Sequence, residues 1–412
     1  MKMFLPTALA SLMLIAFTGG ANFIASYFLD IDNYARYANL HMYILYTSAI
    51  LTLSISYCAP RLTTASAIYK DKAHFYMFSL TIYACIAFIF IGFILSVNDF
   101  ISIEMHENDW IAFFLATTYV AACQNIYAIL FSKRSPTKAL AFISISVSLY
   151  LFGLYFSINL SELDVIKWTW MLGMSIAIII LYIIIALNFK LQSISRVYFY
   201  LKDRNNHNIL FPSMLSGVVN GAALLVLYNG FSRGASSEDI AYLGFAFMLK
   251  TVLQFFSQIF NRVKFLDLSD KYIIGTFKAN RSDFMRLIVF NVLSVLLSLG
   301  FLIIMGFTLF YEYFSKFSGF PPSAVAILSL WIIFEAIYFS IYQFVQVNGK
   351  MWASLFFISF PSLVYALLID NIHISYDLLL MLILYFMLTL VSIISVCLLI
   401  FLDRNKLGNI IV

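Results

Sequence analysis

Lys250 lies near the centre of a long apolar segment and begins a polar stripe. The segment, AYLGFAFMLKTVLQFFSQIF at 241–260, contains no other charged residue. A charge at the middle of a bilayer costs at least about 2.5 to 3.5 kcal/mol, so it is seldom kept without a partner, a wet cavity or a function. Positions i+4, i+7, i+8 and i+11 from Lys250 hold polar side chains on one helical face: Gln254, Ser257, Gln258 and Asn261. This pattern predicts a helix that lines an aqueous cavity, with an ammonium group available to an anion.

A second apolar segment, at 329–346, repeats this design around a carboxylate. Polar side chains at i, i+3, i+7 and i+11 share one helical face: Glu335, Tyr338, Tyr342 and Gln346. Both charges stand about a dozen residues from the outward ends of their predicted helices, so we expect them at similar depth in one half of the protein. Two interpretations remain open. The pair is structural, each charge neutralising the other, or Lys250 binds an anionic substrate while Glu335 couples transport to an ion gradient.

Amides and glycines interrupt other apolar segments. Gln124, Asn125 and Asn220 are candidate substrate contacts, although interior amides more often join helices by hydrogen bonds. Gly19 and Gly20 lie inside the first apolar segment, where a rocking transporter would need to bend, and close helix packing explains them equally well.

The composition predicts a membrane protein. With 63% hydrophobic and 11% charged residues, the 412-residue chain has too much apolar surface for one soluble core. Runs of about 18 or more mostly apolar residues can cross the roughly 30 Å hydrocarbon layer as helices. Twelve such spans are predicted, at 4–28, 38–59, 74–97, 110–132, 139–158, 168–189, 209–230, 239–261, 287–311, 323–347, 351–369 and 377–402. The predicted fold class is an all-α polytopic membrane protein.

The distribution of Lys and Arg predicts the orientation. If both termini are cytoplasmic, 20 of the 25 Lys and Arg residues lie on the cytoplasmic side. An excess of positive charge inside is the general rule for membrane proteins. The net charge of +5 is therefore a topology signal and gives no indication of a nucleic-acid partner.

The chain divides into two similar halves. A basic loop at 190–208 separates two sets of six spans. One register aligns Pro6 with Pro212 and the segment DIDNYA at 30–35 with SSEDIA at 236–241. Because six is even, both halves insert with the same orientation, which predicts a parallel repeat with substrate between the lobes. The predicted domains are an N-terminal six-helix lobe with the connecting loop, 1–205, and a C-terminal six-helix lobe, 206–412.

No nucleotide-binding, zinc or nucleophile motif occurs in the sequence. The connections between spans are short, which argues against an extramembrane domain and against an ATP-driven pump. Four cysteines lie within or beside apolar spans at no metal or disulfide spacing and are predicted to be free thiols: Cys58, Cys85, Cys123 and Cys397. Neither a cofactor nor a metal is expected.

The chain resembles a family of lipid-carrier transporters. Twelve spans in two halves, short outward loops and the segment SISYCAPRLTTASAIYKDK at 54–72 resemble Wzx-type flippases. These proteins export O-antigen or polysaccharide units and belong to the multidrug/oligosaccharidyl-lipid/polysaccharide exporter superfamily. The resemblance implies a non-enzymatic protein of the bacterial inner membrane that moves an undecaprenyl-pyrophosphate-linked oligosaccharide from the cytoplasmic to the periplasmic leaflet by alternating access. Membrane lipids, a polysaccharide polymerase and a chain-length regulator are the implied partners.

The resemblance also implies which cations meet the substrate. Related lipid-carrier flippases place cationic side chains in the central cavity on the first, second and eighth helices. In this chain Arg36 and Arg61 flank the second span, and Lys250 lies in the eighth. A fixed cation in a low-dielectric cavity offsets part of the desolvation of a pyrophosphate, while amides such as Gln254 and Gln258 would hold the sugar.

Two alternatives come from other functional classes. A multidrug or cation antiporter of the same superfamily usually needs a carboxylate inside the first span, and none lies between Lys2 and Asp30. A membrane polysaccharide polymerase or glycosyltransferase is less favoured, because such an enzyme usually carries a large outward loop or domain.

Overall fold

The protein is almost entirely helical. A computed structural model describes residues 4–53, 55, 58–59, 62, 72–97, 107–133, 135–254, 257, 281–305, 315–347, 352, 355–370 and 377–402. The α-helices are α1 (Phe4–Ile15), α2 (Ala21–Phe28), α3 (Ile31–Leu51), α4 (Ala73–Val97), α5 (Glu107–Ser132), α6 (Pro136–Phe156), α7 (Val165–Tyr182), α8 (Ile194–Lys202), α9 (Arg204–Ser232), α10 (Ser237–Leu253), α11 (Arg281–Met305), α12 (Pro322–Val347), α13 (Phe360–Asp370) and α14 (Leu378–Leu402). The predicted all-α class is confirmed.

Short irregular elements connect or extend these helices. Three π-helical turns lie at Ala16–Gly20, Ile183–Leu187 and Leu355–Ser359, and a 3₁₀ turn lies at Ser315–Phe317. The first π turn joins α1 to α2 and contains Gly19 and Gly20, the two glycines at which the first span was expected to bend or pack closely. A hairpin of β1 (Ile158–Asn159) and β2 (Glu162–Leu163) links α6 to α7.

Each of the twelve predicted spans contains a helix. Seven helices in the described part of the chain are long and apolar enough to cross a membrane: Ala73–Gly92, Asp109–Ser132, Pro136–Phe156, Val165–Leu187, Asn206–Ser232, Pro322–Tyr342 and Leu378–Cys397. Pro212 lies inside α9 rather than at its start. The predicted basic loop at 190–208 contains the nine-residue helix α8, which the apolar runs did not reveal. The four cysteines are free thiols, as predicted. We expected all four to be buried, and Cys397 is exposed instead.

Helix packing reveals the internal repeat. In the first half, α1 packs on α6, α4 on α5, α5 on α7, and α6 on α7. The equivalent pairs of the second half also pack, α9 on α13, α11 on α12, α12 on α14, and α13 on α14. The caps correspond as well, since Asp30 accepts from the Asn33 N–H at 2.8 Å to start α3, and Ser236 accepts from the Asp239 N–H at 3.1 Å to start α10. The chain therefore forms two equivalent six-span lobes.

The lobes meet along α3, which packs against both α9 and α10 of the second lobe. α10 also packs against α2 and the first π turn. These contacts place the first two spans of each half at the centre of the protein, where a cavity lies.

Candidate functional site

A cavity of about 510 Å³ lies between the two lobes. Helices α1, α3 and α5 line it from the first lobe, and α9, α10, α12, α13 and α14 line it from the second. The lining reaches Phe131, which is the penultimate residue of α5 and lies at its predicted cytoplasmic end. A pocket of this size is typical of sites that enclose a small ligand or part of a larger one.

An ion pair lies in the wall of this cavity. Lys250 of α10 donates to Glu335 Oε1 of α12, with 2.9 Å between nitrogen and oxygen. The side chains are 13% and 14% exposed, so each keeps a small surface facing the cavity. Gln254, one turn after Lys250, donates to the other carboxylate oxygen of Glu335. The predicted common depth of the two charges is confirmed.

Aromatic rings surround the ammonium group. The Nζ of Lys250 lies 3.9 Å from the ring centroid of Trp331 and 5.2 Å from that of Phe247. Trp331 stacks on Tyr385 at 5.2 Å with only 5° between the ring planes. Tyr385 in turn shares a hydrogen bond of 2.6 Å with Tyr46 across the lobe interface. Cation–π attraction and ring packing thus fix Lys250 in place together with Glu335.

Two of the predicted amides line the cavity and a third does not. Gln124 faces it from the first lobe and Asn220 from the second, both half-buried. Asn125 is fully buried within the first lobe and donates to Thr81 Oγ1 at 3.2 Å. Asn125 therefore joins α5 to α4 in this structure, and its substrate-binding role stays a prediction.

The predicted arginines do not meet Lys250 in the described residues. Arg36 forms a bidentate pair with Asp109, at 2.6 Å from Nη2 to Oδ1 and 3.1 Å from Nε to Oδ2. This pair lies near the first turns of α3 and α5, away from the residues that line the cavity. Arg61 and Gln258, both predicted as substrate contacts, lie outside the described residues.

The sequence analysis missed a polar stripe on the last helix. Tyr385, Thr389 and Ser392 lie at i, i+4 and i+7 of α14 and all line the cavity. Thr389 accepts from the Trp331 indole N–H at 3.1 Å, and Ser392 shares a hydrogen bond of 3.0 Å with Ser362. The same spacing rule that revealed the stripe after Lys250 could have revealed this one.

Neutral hydrogen bonds join the lobes at the predicted periplasmic end. Asn22 donates to the Gly244 carbonyl at 2.7 Å, Tyr228 donates to Asn39 Oδ1 at 2.8 Å, and Tyr43 pairs with Ser232 at 2.9 Å. The exception is Lys316 of the second lobe, which donates to the Leu29 carbonyl at the end of α2. These contacts close that end of the interface.

Glycines allow the closest approaches of the helices. A Cβ at Gly244 would lie 2.6 Å from the Cβ of Ala38, and one at Gly221 would lie 2.5 Å from the Ile50 side chain. Both contacts join α3 to the second lobe. Small residues of this kind are the usual means by which membrane helices pack backbone to backbone.

The sequence matches no family model and no curated protein. Solved structures do match over nearly the whole chain. A multidrug resistance MATE family transporter of the MOP superfamily, in an outward-facing conformation, is 13% identical with a TM-score of 0.64, covering 98% of this chain and 96% of its own. MATE in complex with MaD3S is 13% identical with a TM-score of 0.65, covering 99% and 95%. A MOP superfamily transporter from Pyrococcus furiosus is 12% identical with a TM-score of 0.64, covering 99% and 96%. This protein therefore has the two-lobe, twelve-helix fold of MATE transporters, and the predicted fold class is confirmed.

Proposed function

We propose that the protein is an inner-membrane flippase that moves an undecaprenyl-pyrophosphate-linked oligosaccharide, such as an O-antigen repeat unit, from the cytoplasmic to the periplasmic leaflet. The observation that carries this proposal is the largely buried ammonium group of Lys250, which faces a cavity between two lobes and lies beside aromatic rings. Both termini are cytoplasmic in this proposal, and the lobes are 1–205 and 206–412. The likeness to MATE transporters supports transport by alternating access.

Lys250 supplies the charge for the phosphates. A pyrophosphate that leaves the headgroup region loses hydration, and an ammonium in a low-dielectric cavity replaces part of it with a charge-assisted hydrogen bond. In the described structure this ammonium is held by Glu335, so the substrate anion must compete with a carboxylate. Gln254 already donates to Glu335 and can keep the carboxylate satisfied when Lys250 turns to the substrate.

The remaining wall suits sugar rings. Trp331, Tyr385 and Tyr46 line the cavity as a packed aromatic cluster with hydroxyl groups, while Gln124 and Asn220 add amide donors and acceptors. This combination of aromatic faces with a few placed polar groups is typical of sites that bind polar organic molecules. A cavity of about 510 Å³ is too small for a polyprenyl chain, so the tail stays in lipid.

A cation antiporter is the alternative function, because a carboxylate and aromatic rings also attract organic cations. Glu335, however, already binds Lys250 and Gln254. Lys250 and Glu335 are the charged residues among those that line the described cavity, and their charges cancel. The Pyrococcus furiosus protein is described as having a binding pocket of reverse polarity that suggests a different function. This supports the view that pocket polarity, rather than the fold, selects the cargo.

Deletion of the protein tests the flippase proposal. We expect surface polysaccharide to be lost while lipid-linked repeat units accumulate on the cytoplasmic leaflet, measured by periplasmic accessibility of the sugar to an impermeant lectin or ligase. Complementation with the wild-type chain should restore both. Normal surface polysaccharide in the deletion strain, together with greater sensitivity to cationic drugs, would favour the antiporter instead.

A further inference from the structure

Helix α8 joins the two lobes and lies against α4. Its buried face consists of Val197 and Tyr200, and the Tyr200 ring stacks on Tyr76 of α4 at 4.6 Å with 6° between the planes. α8 also packs on α9, the first helix of the second lobe. The connector between the lobes is therefore a docked helix in the structure.

Hydrogen bonds set the depth of the chain just before α8. The Gln192 N–H donates to Ser79 Oγ at 2.8 Å, and Tyr83 donates to the Gln192 carbonyl at 2.5 Å. Ser79 and Tyr83 lie about 9 and 15 Å along α4 from its first residue, Ala73, at a rise of about 1.5 Å per residue. α4 is long and apolar enough to span a membrane from that residue. Gln192 therefore lies at a depth inside the hydrocarbon layer rather than in the water outside it. α8 then runs back to the level of Tyr76, at the edge of the hydrocarbon layer.

The outer face of α8 is unusual for a surface in contact with water. Ile194, Tyr198 and Phe199 are exposed over 70%, 58% and 63% of their surfaces. Basic residues lie among and beside them, all exposed: Lys190, Arg196, Lys202 and Arg204. The acidic residue of this stretch, Asp203, lies beside the start of α9 and accepts from the Asn206 N–H at 3.4 Å. Aromatic and basic side chains together are typical of the headgroup region of a membrane.

We propose that α8 and its flanking basic residues form a binding surface for anionic phospholipid headgroups of the cytoplasmic leaflet. The depth of Gln192 puts the apolar side chains beside the acyl chains. Lys202 and Arg204 follow the end of α8 that returns to the level of Tyr76, and the long side chains of Lys190 and Arg196 can reach the lipid phosphates from deeper positions. Basic clusters of this kind at the cytoplasmic side of a membrane bind anionic lipids. The bound lipid holds the connector in the membrane plane while the lobes move. This surface is separate from the cavity and does not depend on which cargo is carried.

Lipid binding by the full-length purified protein tests this surface. Affinity for phosphatidylglycerol and for phosphatidylcholine is measured by native mass spectrometry, and amide exchange of Ile194–Lys202 is measured in nanodiscs of each composition. We expect tighter binding of phosphatidylglycerol and slower exchange in its presence. The double variant Arg196→Gln/Lys202→Gln should lower the phosphatidylglycerol affinity about 25-fold, because each basic residue near an anionic surface contributes about fivefold.

A matched variant controls for the loss of two charges. Arg233→Gln/Arg286→Gln removes two exposed cations of the second lobe outside α8 and should leave the phosphatidylglycerol affinity within about twofold. Both variants change exposed side chains, so an unchanged unfolding temperature verifies that each has folded. Equal affinity for the two lipids in the wild type, or an unchanged affinity in the α8 variant, would overturn the proposal. Displacement of phosphatidylglycerol by inorganic pyrophosphate would also overturn it, because that result indicates a site for soluble phosphate.

Discussion

The two ends of the lobe interface are built from different chemistry, although the same helices form both. At the predicted periplasmic end, α2 and α3 contact α9 and α10 through small residues and neutral hydrogen bonds, such as those that join Asn22 to Gly244 and Tyr228 to Asn39. Nearer the predicted cytoplasmic end a cavity opens between the lobes, and an ion pair lies in its wall beside the hydrogen bond that joins Tyr46 to Tyr385. The ion pair belongs entirely to the second lobe, because Lys250 is on α10 and Glu335 on α12.

This difference matters for movement between the lobes. A neutral hydrogen bond contributes about 0.5 to 1.5 kcal/mol net, whereas breaking a buried ion pair by removing one partner costs about 3 to 5 kcal/mol. In the alternating access that we propose, rocking of one lobe against the other would exchange the neutral contacts and leave the costly pair intact. The charged site can therefore face either side of the membrane without being dismantled.

Neutralising the ion pair should have the largest effect. Lys250→Ala leaves the Glu335 carboxylate with only Gln254 as a partner and removes the cation that we assign to the phosphates. We expect polysaccharide export to be lost, whereas Lys250→Arg should retain part of it. Export is measured as surface polysaccharide, normalised to protein abundance in the membrane.

The double variant Lys250→Met/Glu335→Met separates a structural pair from a substrate site. Two apolar side chains of similar volume remove the unpaired charge, so protein abundance should recover. If Lys250 binds the cargo, export stays absent despite this recovery. Full export by the double variant would refute the substrate role of Lys250 and leave the structural interpretation.

Helical periodicity was sufficient to predict part of the site. It predicted the common depth of Lys250 and Glu335, because their relation depends only on position within two long helices. Gln254, predicted to contact substrate, instead donates to Glu335 and is not among the residues that line the cavity. The partners that depend on how helices dock could not be predicted: Asp109 for Arg36, and Tyr385 of one lobe for Tyr46 of the other.

Short local elements of the fold could not be predicted from the sequence. Helix α8 was missed because nine residues in a basic loop give too little periodic signal. The π turn at Ala16–Gly20 was anticipated only as a place where the first helix loosens. Apolar runs, by contrast, were reliable for the spans, because the membrane requires about 20 apolar residues in each helix.

Adding a side chain at Gly244 should open the predicted periplasmic end of the lobe interface. In Gly244→Val a Cβ would lie 2.6 Å from the Ala38 Cβ and 3.0 Å from the Tyr34 hydroxyl, so α3 and α10 must separate. We expect the population closed at this end to fall about tenfold or more, since overpacking costs about 1 to 3 kcal/mol. The measurement is labelling of Asn220→Cys by an impermeant maleimide from the periplasmic side, which should increase.

A matched valine substitution controls for helix propensity. A Cβ at Gly173 in α7 would meet nothing within 4 Å, so Gly173→Val should leave both labelling and export unchanged. Unchanged labelling in Gly244→Val would show that the lobes do not close through this contact.

Breaking the ion pair between Arg36 and Asp109 should lower the stability of the protein moderately. Asp109 is 5% exposed and Arg36 is 37% exposed, so Arg36→Gln leaves a nearly buried carboxylate without its bidentate partner. We expect about 1 to 2 kcal/mol less stability, reduced from the fully buried case by solvent screening. Thermal unfolding measures this loss, and Arg36→Gln/Asp109→Asn should recover most of it. A stable double variant that exports nothing would instead establish the predicted substrate role of Arg36.

The smallest expected effect is a pH dependence at Lys316, a charged contact at the end where the other described contacts between the lobes are neutral. Burial lowers the pKa of Lys316 from 10.5 to about 8, and the Asp30 carboxylate opposes this shift. When the lobes part at this end, Lys316 returns to water and its pKa rises, so the closed arrangement binds fewer protons than the open one. Closure is therefore favoured as the pH rises from about 8 to 10.5. The neutral amine still donates to the Leu29 carbonyl, so deprotonation removes the desolvation cost without removing the hydrogen bond.

Spin labels on either side of this contact measure the closure. With labels at Asp32→Cys and Ser237→Cys, in a background without the four native cysteines, the short-distance population should grow between about pH 8 and pH 10.5, because the closed arrangement binds fewer protons than the open one in this window. Lys316→Met should abolish the dependence, whereas Lys167→Met, at another outward position on the first lobe, should retain it. A short-distance population that shrinks with rising pH would show that the charged ammonium holds the lobes together, and that the two ends of the interface are less different than their contacts indicate.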